Sequence, residues 1–280
     1  MDKYILYNGK FVLSNKALID SANRGLNYGD GFFESLKWHK GEVLFLSKHL
    51  QRIKLGFRVL HFNKSPLLNA KNLESDIAKL IKKNKCGNFA RIRILFFRNS
   101  GGFYSPKKNS VSYIIQTTKI KTGKYPSYAK GKKLGLFNEG YKTRSKLSNI
   151  KSLNSLAYVL AGLHAQKNKL DDCFILNDKQ KVVDAVSSSV IIIKNKKMQF
   201  SPIADGGVDS VMKHVVHSLA IQNELKTVSK SITLANLRSA DEILICNVSK
   251  GIEWVALFEK RRYKSTLAKQ LQNELNSIIS

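Results

Sequence analysis

Residues 23–34, Asn-Arg-Gly-Leu-Asn-Tyr-Gly-Asp-Gly-Phe-Phe-Glu, are the stretch from which the fold of this chain can be worked out. Its Gly-Asp-Gly at 29–31 predicts a turn, because glycine permits a positive φ and aspartate caps turns. The apolar residues that follow predict a strand over 31–38. A turn before a strand needs no catalytic function, so this stretch gains meaning only from motifs elsewhere in the chain.

The sequence around this stretch predicts a first lobe, residues 1–118, of mostly antiparallel α+β structure. An Asn8-Gly9 turn joins two β-rich runs, and a Lys40-Gly41 turn follows the strand at 31–38. Helical spacing of apolar residues begins after Ser47 and returns near Leu73. The predicted elements are strands at 4–7, 10–13, 31–38, 42–45, 90–97 and 111–117 and helices at 47–60 and 73–83.

Residues 119–131, rich in lysine and glycine and containing Pro126, predict a linker between two lobes. The second lobe, residues 132–280, again mixes helices with strands. Its predicted helices are 152–167, 211–223 and 265–279, and its predicted strands are 173–176, 190–193 and 242–246. We therefore expect a two-lobed α+β protein.

The composition of the chain excludes several classes of protein. With 43% hydrophobic residues the chain has enough apolar material for a core, which excludes charge-driven disorder. The formal charge is +28, from 48 basic and 20 acidic residues. Because the lysines are spread over the whole chain, we interpret them as solvated turns and helix faces rather than as a nucleic-acid surface. The charge would still steer anionic ligands inward.

Cysteine usage and hydropathy point to a soluble, cytoplasmic protein. The three cysteines form no Cys-x-x-Cys pair, so neither a disulfide framework nor a zinc site is expected. The histidines show no metal-ligand spacing, and we predict no metal. The sequence lacks a signal pattern and any apolar run of about 18 residues, so we predict no membrane association.

Three positions have side chains or backbone suited to chemistry. Lys151 lies between apolar residues at the predicted start of a helix, where a desolvated amine would have a lowered pKa and could form a Schiff base. The glycine-rich turn at 206–213 opens a predicted helix whose N–H groups could hold a phosphate. Arg52, one helical turn after His49, could either bind a phosphate or be a surface arginine.

Together these motifs resemble the class IV, or fold-type IV, pyridoxal-phosphate enzymes, which include branched-chain and D-amino-acid aminotransferases and aminodeoxychorismate lyase. The resemblance extends in order and spacing over nearly the whole chain. The matching residues are Arg24-Gly-x-x-Tyr28-Gly-Asp-Gly-x-Phe33-Glu34, His49-Leu-x-Arg52, Phe97-Arg98 before Gly101-Gly102, Lys151-Ser-Leu-Asn154, Asp184 with Ser188, and Ile245-Cys-Asn247.

The resemblance implies a smaller N-terminal lobe, a larger C-terminal lobe and pyridoxal 5′-phosphate between them. Lys151 would form the Schiff base and move the α-proton, and Asp184 would pair with the pyridine nitrogen. The other residues implied to bind the cofactor are Arg52, Ser188, Val211, Met212 and Asn247, of which Arg52 and the N–H groups of Val211 and Met212 would bind the phosphate with the Asn247 side chain nearby. The residues implied to surround the substrate are Tyr28, Phe33, Ser35 and Arg98.

Several positions depart from the family pattern. The family has Glu where this chain has Asp184, and Ser-Asn where it has Ser188-Ser189. The Gly-Ile-Thr-Arg of the phosphate helix appears as Ser210-Val-Met-Lys213, without the threonine hydroxyl, and the proline after the late strand is replaced. The three changes other than Asp184 alter the phosphate site but keep its backbone donors, so we expect cofactor binding that is looser than usual.

The function expected from this resemblance is transfer of an amino group between a small amino acid and a 2-oxo acid, by a homodimer. The sequence leaves two alternatives open. Ile245-Cys-Asn247 is similar to the aminodeoxychorismate lyases, which form 4-aminobenzoate and pyruvate, whereas Ile150-Lys-Ser-Leu-Asn154 is similar to the D-amino-acid aminotransferases. The third possibility is a scaffold without catalysis that binds polyanions, against which the retained Lys151 and Arg52 argue.

Overall fold

The computed structural model describes residues 3–16, 19–126 and 129–279. Its contacts divide the chain into two units. The first comprises Met1–Gly123 with Ile150–Asn154, and the second comprises Lys124–Asn149 with Ser155–Ser280. The structure thus groups 150–154, which we expected in the C-terminal lobe, with the first unit. Residues 127 and 128 of the predicted linker lie outside the described residues.

Both units combine helices with strands. The strands are β1 (Tyr4–Tyr7), β2 (Lys10–Leu13), β3 (Gly31–His39), β4 (Glu42–Val43), β5 (Phe89–Arg98), β6 (Val111–Lys119), β7 (Lys132–Leu136), β8 (Asp172–Leu176), β9 (Val182–Ala185), β10 (Ser189–Lys194), β11 (Lys197–Phe200), β12 (Lys226–Ser229), β13 (Glu242–Asn247), β14 (Gly251–Phe258) and β15 (Arg261–Arg262). The helices are α1 (Arg24–Tyr28), α2 (Leu46–Val59), α3 (Ala70–Lys83), α4 (Leu156–Lys167), α5 (Val211–Gln222), α6 (Leu234–Ser239) and α7 (Thr266–Ser277).

The first unit is built on a six-stranded antiparallel sheet in the order β2-β1-β6-β5-β3-β4. The expected hairpins and helices are therefore confirmed. Strands β3 and β5 pair along their length, from Gly31 opposite Phe97 to His39 opposite Phe89. Because side chains alternate along a strand, one face of β3 contributes Phe32 and Leu36 to the core, together with α2 and α3. The other face carries Phe33 and Ser35.

The second unit contains a nine-stranded mixed sheet in the order β12-β11-β10-β13-β14-β7-β8-β9, with β15 on β14. Strand β9 also pairs with β10, through Asp184 opposite Ser189, so the strands from β10 to β9 form a closed ring. Buried aliphatic side chains such as Val190, Ile192 and Ile243 pack beside it. Asp184 on β9 and Asn247 on β13 thus belong to the same closed ring of strands.

The structure corrects the predicted start of helix α4. The helix begins at Leu156 and not at residue 152, because the preceding residues hydrogen-bond to β3 as extended chain. The Phe33 N–H donates to the Lys151 carbonyl at 2.8 Å, and the Leu153 N–H donates to the Gly31 carbonyl at 3.0 Å. Lys151 therefore lies five residues before the first residue of the helix, and not at the helix start where the sequence predicted it.

The part of the chain that the structure describes contains neither a membrane-spanning helix nor a group of metal ligands. None of its helices is both long enough and apolar enough to cross a membrane. Within the same residues, no three or more His, Cys, Asp or Glu side chains are grouped as metal ligands would be.

Candidate active site

Lys151 in the first unit is held by the edge of strand β3. The two backbone hydrogen bonds described above fix its main chain, and its Nζ lies 4.5 Å from the centroid of the Phe33 ring. The guanidinium of Arg93, on β5, lies 4.4 Å from the same centroid. A lysine amine and an arginine therefore share one aromatic side chain, an arrangement stabilised by the ring's quadrupole.

Arg52 is not a surface arginine: it forms a buried cluster with Glu34 and His49. Helix α2 places His49 and Arg52 one turn apart, and β3 supplies Glu34, which is fully buried. Arg52 donates through Nε to Glu34 Oε2 at 3.1 Å and through Nη2 to Oε1. His49 Nδ1 lies 2.8 Å from the same Oε1. Glu34 therefore fixes one edge of the guanidinium.

The charges in this cluster decide the protonation of its members. Burial alone would raise the pKa of Glu34, but the charge of Arg52 and the hydrogen bonds of His49 and Arg52 outweigh it and lower the pKa to about 2. Burial lowers the pKa of His49, so its ring is neutral at pH 7. Its Nδ1–H donates to the carboxylate, and its buried Nε2 has no hydrogen-bond partner among the described residues.

Arg98, which the resemblance places near the substrate, is held by protein acceptors. Its Nε donates to Asp30 Oδ2 at 2.8 Å, its Nη2 to the Leu60 carbonyl at 2.7 Å, and its Nη1 to Asn109. Asp30 also accepts from Arg24 Nε at 2.8 Å. These contacts hold the end of β5, so we do not carry Arg98 into the proposed substrate site.

The remaining substrate candidates of the first unit lie in two places. Tyr28 ends helix α1, is 39% exposed, and has its ring 5.6 Å from that of Tyr104. Ser35 lies on the same face of β3 as Phe33 and is directly opposite Arg93 on β5. Arg93 was not singled out from the sequence, although the alternation of its strand was visible. Its Nε is buried and has no hydrogen-bond partner among the described residues.

Asp184 is one of the buried acids of the second unit. Its Oδ2 accepts from Lys142 Nζ at 2.7 Å, from the Tyr158 hydroxyl at 2.8 Å and from the Val208 N–H at 3.2 Å. No hydrogen bond from the described residues reaches its Oδ1. Burial, and then the charge of Asp184, raises the pKa of Tyr158 well above its ordinary value, so this hydroxyl keeps its proton. Lys142 and Tyr158 were not predicted from the sequence.

Ser188 and Asn247, two predicted cofactor-binding residues, contact each other. Asn247 Nδ2 donates to Ser188 Oγ at 3.0 Å, because β10 and β13 are neighbours with Ser189 opposite Cys246. The Asn247 Oδ1 accepts from the N–H groups of Ser249 and Lys250, both at 2.9 Å. The Asn247 amide is thus fixed in one orientation.

Helix α5 begins with N–H groups that the described residues do not satisfy. Ser210 is its N-cap, and the Ser210 hydroxyl accepts from the Lys213 N–H at 3.2 Å. The N–H groups of Val211 and Met212 donate to no acceptor in the described part of the chain. Lys213, which stands where the family has arginine, donates through Nζ to the Ser201 carbonyl at 3.2 Å.

Comparison with known proteins assigns the family. The family described as Amino-transferase class IV matches residues 31–257, and the chain belongs to it. It is 28% identical to a putative branched-chain-amino-acid aminotransferase of Methanocaldococcus jannaschii, over 91% of this chain and 87% of that protein. It is 23% identical to a D-alanine aminotransferase of Bacillus licheniformis (99% and 97% covered) and 24% identical to an aminodeoxychorismate lyase of Vibrio harveyi (91% and 94% covered).

Solved structures share the fold. A branched-chain aminotransferase from Thermoproteus uzoniensis, determined with norvaline, superposes with a TM-score of 0.88 at 20% identity, over 100% of this chain and 95% of that one. A hypothetical aminotransferase from Mycobacterium tuberculosis, in a form with bound pyridoxal phosphate, has a TM-score of 0.83 at 14% identity, over 99% and 100%. The expected fold-type IV architecture is confirmed, and class IV aminotransferases use pyridoxal 5′-phosphate.

Proposed function

We propose that this chain is a pyridoxal-phosphate-dependent aminotransferase that moves an amino group between a small amino acid and a 2-oxo acid. The observation that carries the proposal is the position of Lys151, whose backbone is fixed by β3 and whose amine lies over Phe33. When bound, the cofactor supplies an aldehyde for this amine and a ring that accepts electrons from the substrate.

The side chains fit this cofactor. Asp184 offers an oxygen, Oδ1, that accepts no hydrogen bond from the described residues and can receive an N–H of a pyridine ring. The Val211 and Met212 N–H groups, with Ser188 and Asn247, have the donor chemistry that a phosphate needs. Arg52, oriented by Glu34, adds the charge that the resemblance assigns to the phosphate site.

Lys151 would act twice. Its Nζ would hold the cofactor covalently and, once a substrate amine has displaced it, would take the proton from the substrate α-carbon. The Phe33 ring and, on the same ring, the Arg93 guanidinium border this amine.

Arg93 is the residue that we propose for the substrate carboxylate, in place of Arg98. Its guanidinium shares the Phe33 ring with the Lys151 amine, and its buried Nε has no partner among the described residues. An arginine with an unused donor can bind a carboxylate with two hydrogen bonds. Ser35, directly opposite on the sheet, would contribute a hydroxyl.

The cofactor assignment is tested by Lys151→Ala, with Lys146→Ala at an exposed lysine as the control. We expect the unchanged chain and the control to show a visible absorption band after incubation with pyridoxal phosphate, and Lys151→Ala to lack it while unfolding at the same temperature. A full band in Lys151→Ala would place the covalent bond at another lysine and overturn the proposal.

The second candidate function is aminodeoxychorismate lyase, which the Ile245-Cys-Asn247 stretch favours. The two reactions differ in the fate of the amino group. A transaminase mixed with one amino acid and no acceptor forms pyridoxamine phosphate in an amount equal to the enzyme. Failure to form it with every amino acid tried, together with pyruvate release from aminodeoxychorismate, would establish the lyase instead.

A homodimer is the assembly that we propose for this enzyme. Along α4, apolar side chains separated by three or four residues form an exposed stripe, as they do where a helix packs on a partner. The stripe is Leu156, Val159, Leu160 and Leu163, which are 51% to 69% exposed. We expect Leu160→Asp to convert a dimer to a monomer in light scattering, whereas Lys167→Asp at an exposed polar position of α4 should not.

A further inference from the structure

The carboxylate of Asp184 does not lie alone in the second unit: it is paired with a buried lysine. Lys142 Nζ is 2.7 Å from Asp184 Oδ2, and the two side chains are 7% and 3% exposed. Lys142 also donates to the Tyr158 hydroxyl at 2.6 Å and to the Ser148 carbonyl at 3.2 Å. The three acceptors fix the Lys142 amine beside the carboxylate. Because the two side chains carry opposite charges, the pair as a whole has little net charge.

The other titratable groups of the surrounding elements do not change this balance. On α4, the Tyr158 hydroxyl is neutral because burial and Asp184 raise its pKa. On β8, the carboxylate of Asp172 accepts from the Cys173 and Val186 N–H groups. The acids before α5 are engaged elsewhere, Asp205 with the hydroxyls of Ser201 and Ser231 and Asp209 with His214.

Within the part of the chain that the structure describes, Lys142 is therefore the charged side chain that forms an ion pair with the Asp184 carboxylate. A ring nitrogen next to a lone carboxylate is stabilised in its protonated form by a full negative charge. A ring nitrogen next to a carboxylate that already binds an ammonium is stabilised much less, because the two positive groups compete for the same anion.

We propose that Lys142 is a positioning residue that presents only Oδ1 of Asp184 to the cofactor and weakens the protonation of the ring nitrogen. This inference rests on the proposed function, since it needs pyridoxal phosphate at Asp184. The ring nitrogen then loses its proton at a lower pH than it would beside an unpaired acid. How strongly the cofactor ring accepts electrons then depends on the Lys142–Asp184 pair, and not on Asp184 alone.

The test uses the full-length chain loaded with pyridoxal phosphate that carries ¹⁵N in its ring. The ¹⁵N chemical shift, followed against pH, gives the midpoint at which the ring nitrogen loses its proton. Lys142→Met and Lys142→Gln remove the charge, Lys142→Arg keeps it, and Lys226→Met on exposed strand β12 is the control. Thermal unfolding of each cofactor-free variant reports whether it folds.

We expect Lys142→Met and Lys142→Gln to raise this midpoint by about 1 to 2 pH units, the scale for an opposite charge at close range. Lys142→Arg and Lys226→Met should keep the midpoint of the unchanged chain. A loss of packing alone would not raise the midpoint, so a structural role does not give this result. If Lys142→Met fails to fold, Lys142→Gln, which retains a donor for Oδ2, decides the outcome.

Two other outcomes would overturn the inference. An unchanged or lower midpoint in the variants without charge shows that Lys142 does not compete with the ring nitrogen, while the proposed function stands. Failure of the unchanged chain to take up pyridoxal phosphate contradicts the proposed function itself, and the inference with it.

Discussion

Each unit of the molecule contains a buried carboxylate paired with a buried basic side chain, Glu34 with Arg52 in the first and Asp184 with Lys142 in the second, and the two clusters differ in what they leave unbound. Glu34 uses both oxygens, one for Arg52 Nε and the other for Arg52 Nη2 and His49. Asp184 gathers three donors on Oδ2, and no hydrogen bond from the described residues reaches Oδ1. A carboxylate with both oxygens bound holds the protein together, whereas one with a remaining oxygen can bind a ligand.

The largest expected effect is on the cluster with both oxygens bound. Glu34→Gln leaves Arg52 as a buried charge without its counterion, which typically costs about 3 to 5 kcal/mol of unfolding free energy. Urea unfolding of the cofactor-free chain measures this loss. Glu42→Gln, at an exposed position of the same unit, should change stability little. Equal stability of the two variants would show that Glu34 does not hold the first unit.

Low pH should weaken the stabilisation that the Glu34 cluster provides. The pKa of Glu34 falls from 4.5 to about 2 on folding, so its stabilisation is complete above the unfolded value and is lost as the pH falls through the folded one. A shift of this size corresponds to about 3 kcal/mol. Unfolding free energy measured between pH 5 and pH 2 should fall less steeply in Glu34→Gln than in the unchanged chain. Parallel curves would contradict the assignment.

Changing Asp184, whose Oδ1 accepts no hydrogen bond from the described residues, should lower the turnover number. Asp184→Asn replaces the negative charge by an amide, and we expect kcat to fall on the order of 100-fold, as when one preorganised electrostatic partner is removed. The cofactor should remain bound, because the phosphate donors and Lys151 are untouched. Asp178→Asn, at an exposed acid of the same unit, is the control. Near-normal kcat in Asp184→Asn would remove this residue from the site.

Arg98 and Arg93 differ in the same way: the donors of Arg98 bind protein acceptors, whereas Nε of Arg93 has no hydrogen-bond partner among the described residues. Arg93→Met should raise the KM for the amino acid by about tenfold, the lower end for a hydrogen bond to a charged group, with little loss of stability. Arg98→Met should lower the unfolding temperature and leave KM nearly unchanged, because its donors bind Asp30, Asn109 and Leu60. A reversal of these two results would restore Arg98 to the substrate site.

Local patterns in the sequence were sufficient for most elements of the first unit. The Asn8-Gly9 hairpin and helices α2 and α3 lie where their turn residues and apolar spacing predict them. Strands β7, β9, β11, β12 and β14 were not separately predicted. The first four have only four or five residues each, too few to show a clear period. The start of α4 was placed too early, because hydrogen bonds to a distant strand override the helical pattern of 152–155.

The site residues show a similar division. Motifs indicated Lys151, Arg52 and Asp184, whereas nothing local marks Lys142 in a chain with 48 basic residues. Its importance arises from burial and from an acid 42 positions away, which only the folded chain brings within reach. Arg98 shows the opposite situation: a motif indicates it for the substrate site, while in the folded chain Asp30 and the Leu60 carbonyl accept its hydrogen bonds.

The short segment Ile150–Asn154 also has a consequence for how the protein is made. The first unit is complete only when this segment, separated from Gly123 by the stretch 124–149, has been synthesised. Because domains emerge from the ribosome N-terminal part first, the sheet of the first unit can form before Lys151 exists. Its β3 edge must then wait for the backbone partners of Gly31 and Phe33. The nascent chain therefore acquires Lys151 late, as an addition to a sheet that can already have folded.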